Sequence, residues 1–473
     1  MIPIDPVYRR ARWLCGTSMS LRLAMDLWQG GAAAFGPSYD YYVDGVNGSD
    51  SNDGTSLAQA WKSLKKIGAI SLPAAAVRSV LVKAGTPYDT ADDWVERSNT
   101  TAGGNVGAGS ILDITFEPGC VMDGSVANTS AAANAFEFAS TDEATTRIFG
   151  NGLTIQHYNY DVGGASPNGI GNRGKSIVRA YDVHVVDCVD GYSAHGNAKM
   201  FVDRVTASGC AKSAYGHVEN AHFEARRSTF TAKAGAILGI GAVASATSTA
   251  IVEDCILIPA TSGQTLGVDG TVFTRCQIGT PSLGVTLTSG YGVGGTINQS
   301  FVNAYIDGHQ KATLYQCYGK FSTRVRSGGA VHVTRSVISG PATGAPVASI
   351  IFSNFSGGSS KLIFNDNIVE TATAAAFMDV NSTAAAALVS AASEIHNNVL
   401  SGSAAFDADL ITADSGNTVR TGSFRADALI GAANTLDPDD YGYGPGSPAI
   451  GAATDGGNCG FAIGAVPPVA EAA

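Results

Sequence analysis

Cys188-Val-Asp-Gly-Tyr-Ser-Ala-His-Gly-Asn-Ala198 and Cys210-Ala-Lys-Ser-Ala-Tyr-Gly-His-Val-Glu-Asn220 write one structural line twice. Cys188 falls on Cys210, His195 on His217, Phe201 on Phe223 and Arg204 on Arg226, at an offset of 22 each time. A fixed period of about 20–30 residues marks a repeat architecture in which each repeat is one coil and neighbouring coils stack.

The line continues outward. Its recurring unit is a short alternating apolar run, one or two polar residues, then a small residue before another apolar pair. It occurs at Val186-Asp-Cys188, Arg204-Val-Thr206, Arg226-Arg-Ser228, Glu253-Asp-Cys255, Thr274-Arg-Cys276, Asn298-Gln-Ser300, Tyr315-Gln-Cys317, Thr334-Arg-Ser336, Asn365-Asp-Asn367 and Asn397-Asn398. These units give a mean step of about 23 residues, the length of one β-solenoid coil. Strands of successive coils then pair in parallel, and alternate side chains form inner stacks and outer rows. A lone coil cannot bury its apolar side, so both ends of the stack need covering. The Ala-rich stretch Met378 to Ser393 reads as an insertion containing a short helix.

Composition agrees. Of 473 residues 45% are hydrophobic, 58 are Gly and only 15% are charged, which suits short strands and tight turns. A net charge of −11 argues against nucleic acid as the general partner, and no run of 18 apolar residues is present for membrane insertion. The eight Cys lack CxxC or zinc spacing. Cys188, Cys255, Cys276 and Cys317 read as one inward position of the repeat, filled elsewhere by Thr206, Ser228 and Ser300, hence as buried thiols behaving as small hydrophobes. Coil spacing would also allow a Cys255–Cys276 bridge.

Three segments follow: an extension over 1–37, the solenoid over 38–405, and an irregular cap and tail over 406–473. In the first, Arg9, Arg10 and Arg12 precede an apolar stretch broken by Gly16, Ser18 and Arg22, which is a poor export signal. Leu21, Leu23, Met25, Leu27 and Trp28 instead form an amphipathic segment that needs a partner surface. Trp61, Leu64 and Ile67 predict a short capping helix that plugs the open end of the core. Just before it, Asp44, Asp50, Asn52 and Asp53 offer calcium-type oxygen donors, but their spacing is not an EF-hand and Asx turns account for them. No cofactor is expected.

The order of Tyr41-Tyr-Val43, Gly48-Ser-Asp-Ser-Asn-Asp-Gly-Thr55, Trp61-Lys-Ser-Leu64, Val82-Lys-Ala-Gly-Thr86, Phe116-Glu-Pro-Gly119 and Met122-Asp-Gly-Ser125 resembles the opening coils of right-handed parallel β-helix proteins of the pectate-lyase-like superfamily. Gly446-Ser-Pro-Ala-Ile-Gly-Ala452 and Gly460-Phe-Ala-Ile-Gly-Ala465 look like the closing motif of many such chains. The resemblance implies an all-β, single-stranded right-handed parallel β-helix with an N-terminal capping helix and an irregular C-terminal cap. Such motifs specify architecture better than activity.

Two functions follow from it. One is a virion spike, on tail or head, that binds and depolymerises or only binds bacterial surface polysaccharide. The resemblance implies a homotrimer at the virion surface, attached to other virion proteins through residues 1–37. The other is a free, secreted, extracellular polysaccharide lyase or glycoside hydrolase acting on an acidic polysaccharide. A noncatalytic β-helix adhesin or scaffold is the weaker third reading.

Read at an offset of 22, the repeated line sets Asp190 beside Lys212, His195 beside His217 and Asn197 beside Glu219, with Tyr192 and Tyr215 near the same corner. Aromatic faces cover sugar C–H surfaces, and charged or amide groups bind hydroxyls and uronates. The expected glycan contacts are therefore Tyr192, His195, Tyr215, His217 and, on a later patch, Arg324 and Arg326. Hydrolysis needs paired carboxylates, for which Asp190 or Asp203 with Glu219 are candidates; β-elimination needs a base and a positive charge, for which His195, His217, Lys199 and Lys212 are candidates. No residue run matches the catalytic motif of a specific family, and stacked His or Asn can equally form structural ladders.

Overall fold

A computed structural model describes residues 38–473 apart from 91, 99–105, 128–133, 159–167, 241–247, 289–293, 309–310, 326–328, 346–348, 354–360, 372–377, 403–407, 417–423, 426–436, 439–440, 442–446, 454, 456–457, 462–465 and 467–473. The chain divides into two units, Met1–Tyr39 and Asp40–Ala473. Among the described residues no helix is long and apolar enough to cross a membrane.

The second unit is a right-handed parallel β-helix, the fold implied by the resemblance. Every strand pairing in it is parallel and joins a strand to its equivalent one coil away. In the middle of the stack each coil contributes three strands. Asp190–Ala194 belongs to a first sheet, between Asn168–Gly174 and Ser213–His217. Lys199–Asp203 belongs to a second, between the start of Ile177–Val186 and His222–Arg226. Thr206–Ser208 belongs to a third, between the end of Ile177–Val186 and Thr229–Thr231. Alternation in the second sheet buries Met200, Val202, Phe223 and Ala225 and turns Phe201 and Glu224 outward.

The corner between the second and third sheets explains the polar residue of the repeated unit. Arg204, Arg227, Asp254, Arg275, Gln299, Gln316, Arg335, Asp366 and Asn397 all sit in the left-handed region, with φ of 48–61°. For non-glycine residues this costs roughly 1 kcal/mol each. From Arg204 to Asp366 each of these N–H groups donates to the next coil, as in Arg227 N to Glu253 O (3.1 Å) and Gln299 N to Tyr315 O (2.9 Å), which offsets the cost. The residue after the corner turns inward. Ser228, Cys255, Cys276, Ser300, Cys317, Ser336, Asn367 and Asn398 occupy that place, all buried. Their side chains link coils: Ser300 Oγ accepts from Cys276 N (3.0 Å), and Asn398 Oδ1 from Asn367 N (3.0 Å).

Three readings of the repeat need correcting. The strands pair at an offset of 23, since Asp190 faces Ser213, Ala194 faces His217 and Phe201 faces Glu224. The offset of 22 holds only at the corner, where Ala211 N donates to Cys188 O; an extra residue is taken up at Ala211–Lys212. A one-residue slip exchanges faces, so Phe201 points out while Phe223 points in. Cys188 accordingly pairs with Cys210 at the corner before the first sheet and does not share the row of Cys255, Cys276 and Cys317. Thr206 is half-buried and bonds outward to His184 Nδ1, while Val205 fills the inward place. Among the described residues all seven Cys are buried free thiols, with no Cys255–Cys276 bridge.

The N-terminal end is closed as the sequence suggests. Trp61, Leu64 and Ile67 are all buried in the main core, although the α-helix is only Lys65–Gly68. Trp61 stacks on Tyr41 at 5.0 Å and donates its indole N–H to Asn52 O (3.0 Å). In the preceding turn Asp44 accepts from Val46 and Asn47 N–H, Asp50 from Lys62 and Ser63 N–H, and Asp53 from Thr55 N–H. The helix Ser382–Ser390, capped by Asn381, fills the predicted Ala-rich insertion. The C-terminal segment lies along the side of the stack: Tyr441, Ala449, Cys459 and Phe461 pack on the outer row Phe301, Tyr318, Val337, Ile368 and Val399 of the third sheet.

Candidate functional site

The first sheet carries a groove of about 600 Å³ near the N-terminal end of the stack. Its floor comes from three successive coils, Val95–Ser98, Phe136–Ser140 and Asn168–Gly174. Register fixes its rows. Glu96 faces Glu137 and Glu137 faces Gly171; Ser98 faces Ala139 and Ala139 faces Arg173. Phe136 and Phe138 point the other way into the core, which forces Glu137 outward. Lys175 and Asn197 complete the rim.

Glu137 is the centre of this arrangement. Its side chain is only 14% exposed and ion-pairs with Arg173, Oε1 to Nε, at 2.7 Å. Oε2 accepts from Asn134 Nδ2 at 2.9 Å. Burial pushes the Glu137 carboxyl up to about 7; the Arg173 guanidinium opposes the shift and the Glu96 carboxylate adds to it. Gly171 makes room for the group, since a Cβ there would stand 2.3 Å from Glu137 Oε2 and 2.9 Å from Asn168 Nδ2. The groove thus holds an exposed carboxylate, a buried neighbour one strand away whose surroundings favour its protonated form, and two cations.

His195 belongs to the edge of the same site. It is half-buried, and burial lowers its pKa, with Arg173 and Lys212 repelling its proton and Glu219 attracting it. Lys212 and Glu219 are both exposed, one at each end of the strand Ser213–His217. Of the sequence-derived candidates, Glu219 approaches the turn after His195, its Oε2 3.6 Å from where a Gly196 Cβ would stand, while Lys212 lies at the far end of the neighbouring strand.

The remaining candidates do not join this edge. Tyr192 and Tyr215 are 0% exposed; Tyr192 donates to Val183 O (2.9 Å), and Tyr215 stacks on Phe223 at 5.2 Å. The expectation of glycan contact through these tyrosines is corrected, because both rings fill the solenoid interior. His217 is also fully buried, facing Ala194 rather than His195. Its Nδ1 lies 3.1 Å from Ser248 Oγ, and burial lowers its pKa to about 4. It is a neutral core imidazole and leaves the list of bases and glycan contacts. Asp190 is buried and accepts from Ser213 Oγ at 2.5 Å, so it neither faces Lys212 nor reaches the groove. Asp203 lies on the second sheet, ion-paired to Arg204 and Arg227. Arg324 is half-buried beside Asp307 much further along the stack, and Arg326 lies outside the described residues.

Glu96, Glu137 and Arg173 were not found from the repeat. The steps between their coils, from Glu96 to Glu137 and from Glu137 to Gly171, are unequal and much longer than 23 residues, so the phase read from Cys188 onward does not extend back. The available signal was alternation: Phe136-Glu-Phe138 sets one carboxylate opposite two apolar neighbours, a pattern that Val95-Glu-Arg97 gives only on one side.

Known proteins add little. No family model matches the chain, and no curated protein matches it. Among solved structures, a match is the crystal structure of pectate lyase Pel9A, at 15% sequence identity, covering 88% of this chain and 91% of that one, with a TM-score of 0.25. That likeness is too slight to bear on activity, so the assignment of this chain to the parallel β-helices stands on its own strand pairing.

Proposed function

We propose that this protein is a polysaccharide-cleaving β-helix, a glycoside hydrolase whose site is the Glu96–Glu137–Arg173 groove. The observation that carries the reading is the in-register pair of carboxylates with Glu137 held near 7. A protonated carboxyl at that pKa serves as general acid to the glycosidic oxygen near neutral pH. Glu96, exposed and one strand away, serves as the second carboxylate. Adjacent strands lie about 4.8 Å apart, which suits the roughly 5 Å carboxyl separation of retaining enzymes. Arg173 and Lys175 favour an acidic substituent on a flanking sugar. The carboxylate pair itself would repel a uronate at the point of cleavage, which favours hydrolysis over β-elimination.

The finer setting is a virion spike that meets bacterial surface polysaccharide as a homotrimer. The amphipathic 1–37 sequence, with Leu21, Leu23, Met25, Leu27 and Trp28 in need of a partner surface, supports attachment to a larger particle. Incubation with capsule or exopolysaccharide tests the chemistry. New reducing ends without absorbance near 235 nm, abolished in Glu137→Gln and Glu96→Gln, are expected. Absorbance there would identify a lyase, and no product of either kind would leave a binding protein. A chain lacking residues 1–37 should keep its glycan chemistry and lose particle attachment; unchanged attachment would remove the spike setting.

A further inference from the structure

The outer face of the second sheet carries an aromatic and cationic platform that the groove does not use. Phe149 and Tyr181 occupy facing positions on Thr145–Gln156 and Ile177–Val186, both half-exposed, with rings stacked at 5.4 Å and 9°. One residue row away, the Arg179 guanidinium lies 4.1 Å from the centre of the half-exposed Phe201 ring. Pleat parity puts these four side chains on one flat patch: Arg179 and Tyr181 are two apart on one strand, and Arg179 faces Phe201 across the sheet.

Charge pairing singles out Arg179. Charges facing the patch are engaged elsewhere: Arg147 with Asp113 (2.6 Å), Glu224 with His222 (3.0 Å), and Asp203 with Arg204 and Arg227; Asp182 follows Tyr181 at the corner. Among the described residues Arg179 makes no hydrogen bond and no ion pair, and its ring contact with Phe201 is its one polar-group interaction. Its planar fork lies over the Phe201 ring with no protein acceptor engaged, beside a stacked aromatic surface. Aromatic faces take the C–H face of a pyranose, and a guanidinium takes a carboxylate or sulfate bidentately.

We propose that Phe149, Tyr181, Phe201 and Arg179 form a second, noncatalytic site for an acidic oligosaccharide, on a different sheet from the groove. Such a site would hold a polymer chain against the solenoid through stacking on Phe149 and Tyr181 and one charge-assisted contact at Arg179. It stands whether or not the groove cleaves. Loss of one charge-assisted contact weakens such binding roughly tenfold or more.

An array of uronate-bearing, sulfated and neutral oligosaccharides, probed with the full chain, tests it. Glu137→Gln, which disables the groove, should still bind acidic members, and more weakly as salt rises. Arg179→Gln should lose acidic binding at least tenfold, and Tyr181→Ala should lose it with far-ultraviolet circular dichroism unchanged. The proposal is overturned if Arg179→Gln and Tyr181→Ala leave the array profile intact, or if the Glu137→Gln protein retains no acidic glycan. It is equally overturned if Arg179→Gln changes the sedimentation mass without changing glycan binding, which would make this face a contact between copies of the chain. Failure of cleavage with array binding intact would count against the groove alone.

Discussion

Replacing Glu137 by Gln should make the protein more stable at alkaline pH and leave it unchanged in acid. The folded carboxyl titrates at about 7 against an ordinary 4.5, so folding holds a proton that the unfolded chain releases in between. A raised pKa contributes stability that is complete below about 4.5 and lost as pH climbs through about 7. Moving the carboxyl from 4.5 to about 7, at 1.36 kcal/mol per tenfold change in proton affinity, means the ionised group costs the fold on the order of 3 kcal/mol above pH 7. Arg173 already offsets part of the burial, and since its side chain is 51% exposed it stays hydrated when its partner becomes neutral. Gln is isosteric with the protonated acid. Urea unfolding of wild type and Glu137→Gln should therefore coincide near pH 4 and diverge to about 3 kcal/mol in favour of the variant by about pH 8. Taking the difference cancels the titrating groups that do not interact with Glu137. A flat difference over that window, or an NMR titration placing Glu137 at or below 4.5, would refute the account of the groove.

His217 should show the opposite slope. Its pKa falls to about 4 from 6.5, so its contribution is complete above 6.5 and about 3 kcal/mol is lost as pH drops to 4; His217→Gln should flatten acid unfolding there. Ser300→Ala leaves the buried Cys276 N–H without its acceptor and should cost about 1–3 kcal/mol by denaturant titration. Trp61→Ala opens the plugged end of the core and should cost about 3–5 kcal/mol, with amide exchange rising first in Tyr41–Val43 and Val77–Val82.

The architecture was legible because a solenoid states its rule repeatedly. The polar corner residues and the small inward residue after them recur from Arg227–Ser228 to Asn397–Asn398, and Trp61, Leu64 and Ile67 announce a closed end. The site was harder. An offset wrong by one residue leaves the coil intact yet exchanges inside and outside, so Tyr192, Tyr215 and His217 were read as surface groups when they are core. His195, Lys212 and Glu219 survived because they sit at corners, where alternation does not decide exposure. Glu137 escaped because its role depends on Gly171 and Arg173 one coil later and on Glu96 one coil earlier, positions whose long and unequal steps fit no fixed period.

The interior thiols have a consequence for how the molecule would come apart. Cys120, Cys210, Cys276, Cys317 and Cys459 are spread along the chain, and burial pushes each of their pKa values up to about 11 or 12, so none offers a thiolate near neutral pH while its coil is closed. An alkylating reagent can reach a given sulfur only when the coils around it open. The chain therefore carries its own series of clocks, one per region, and the order in which they are stopped would read out whether the solenoid frays from its ends or breaks in the middle.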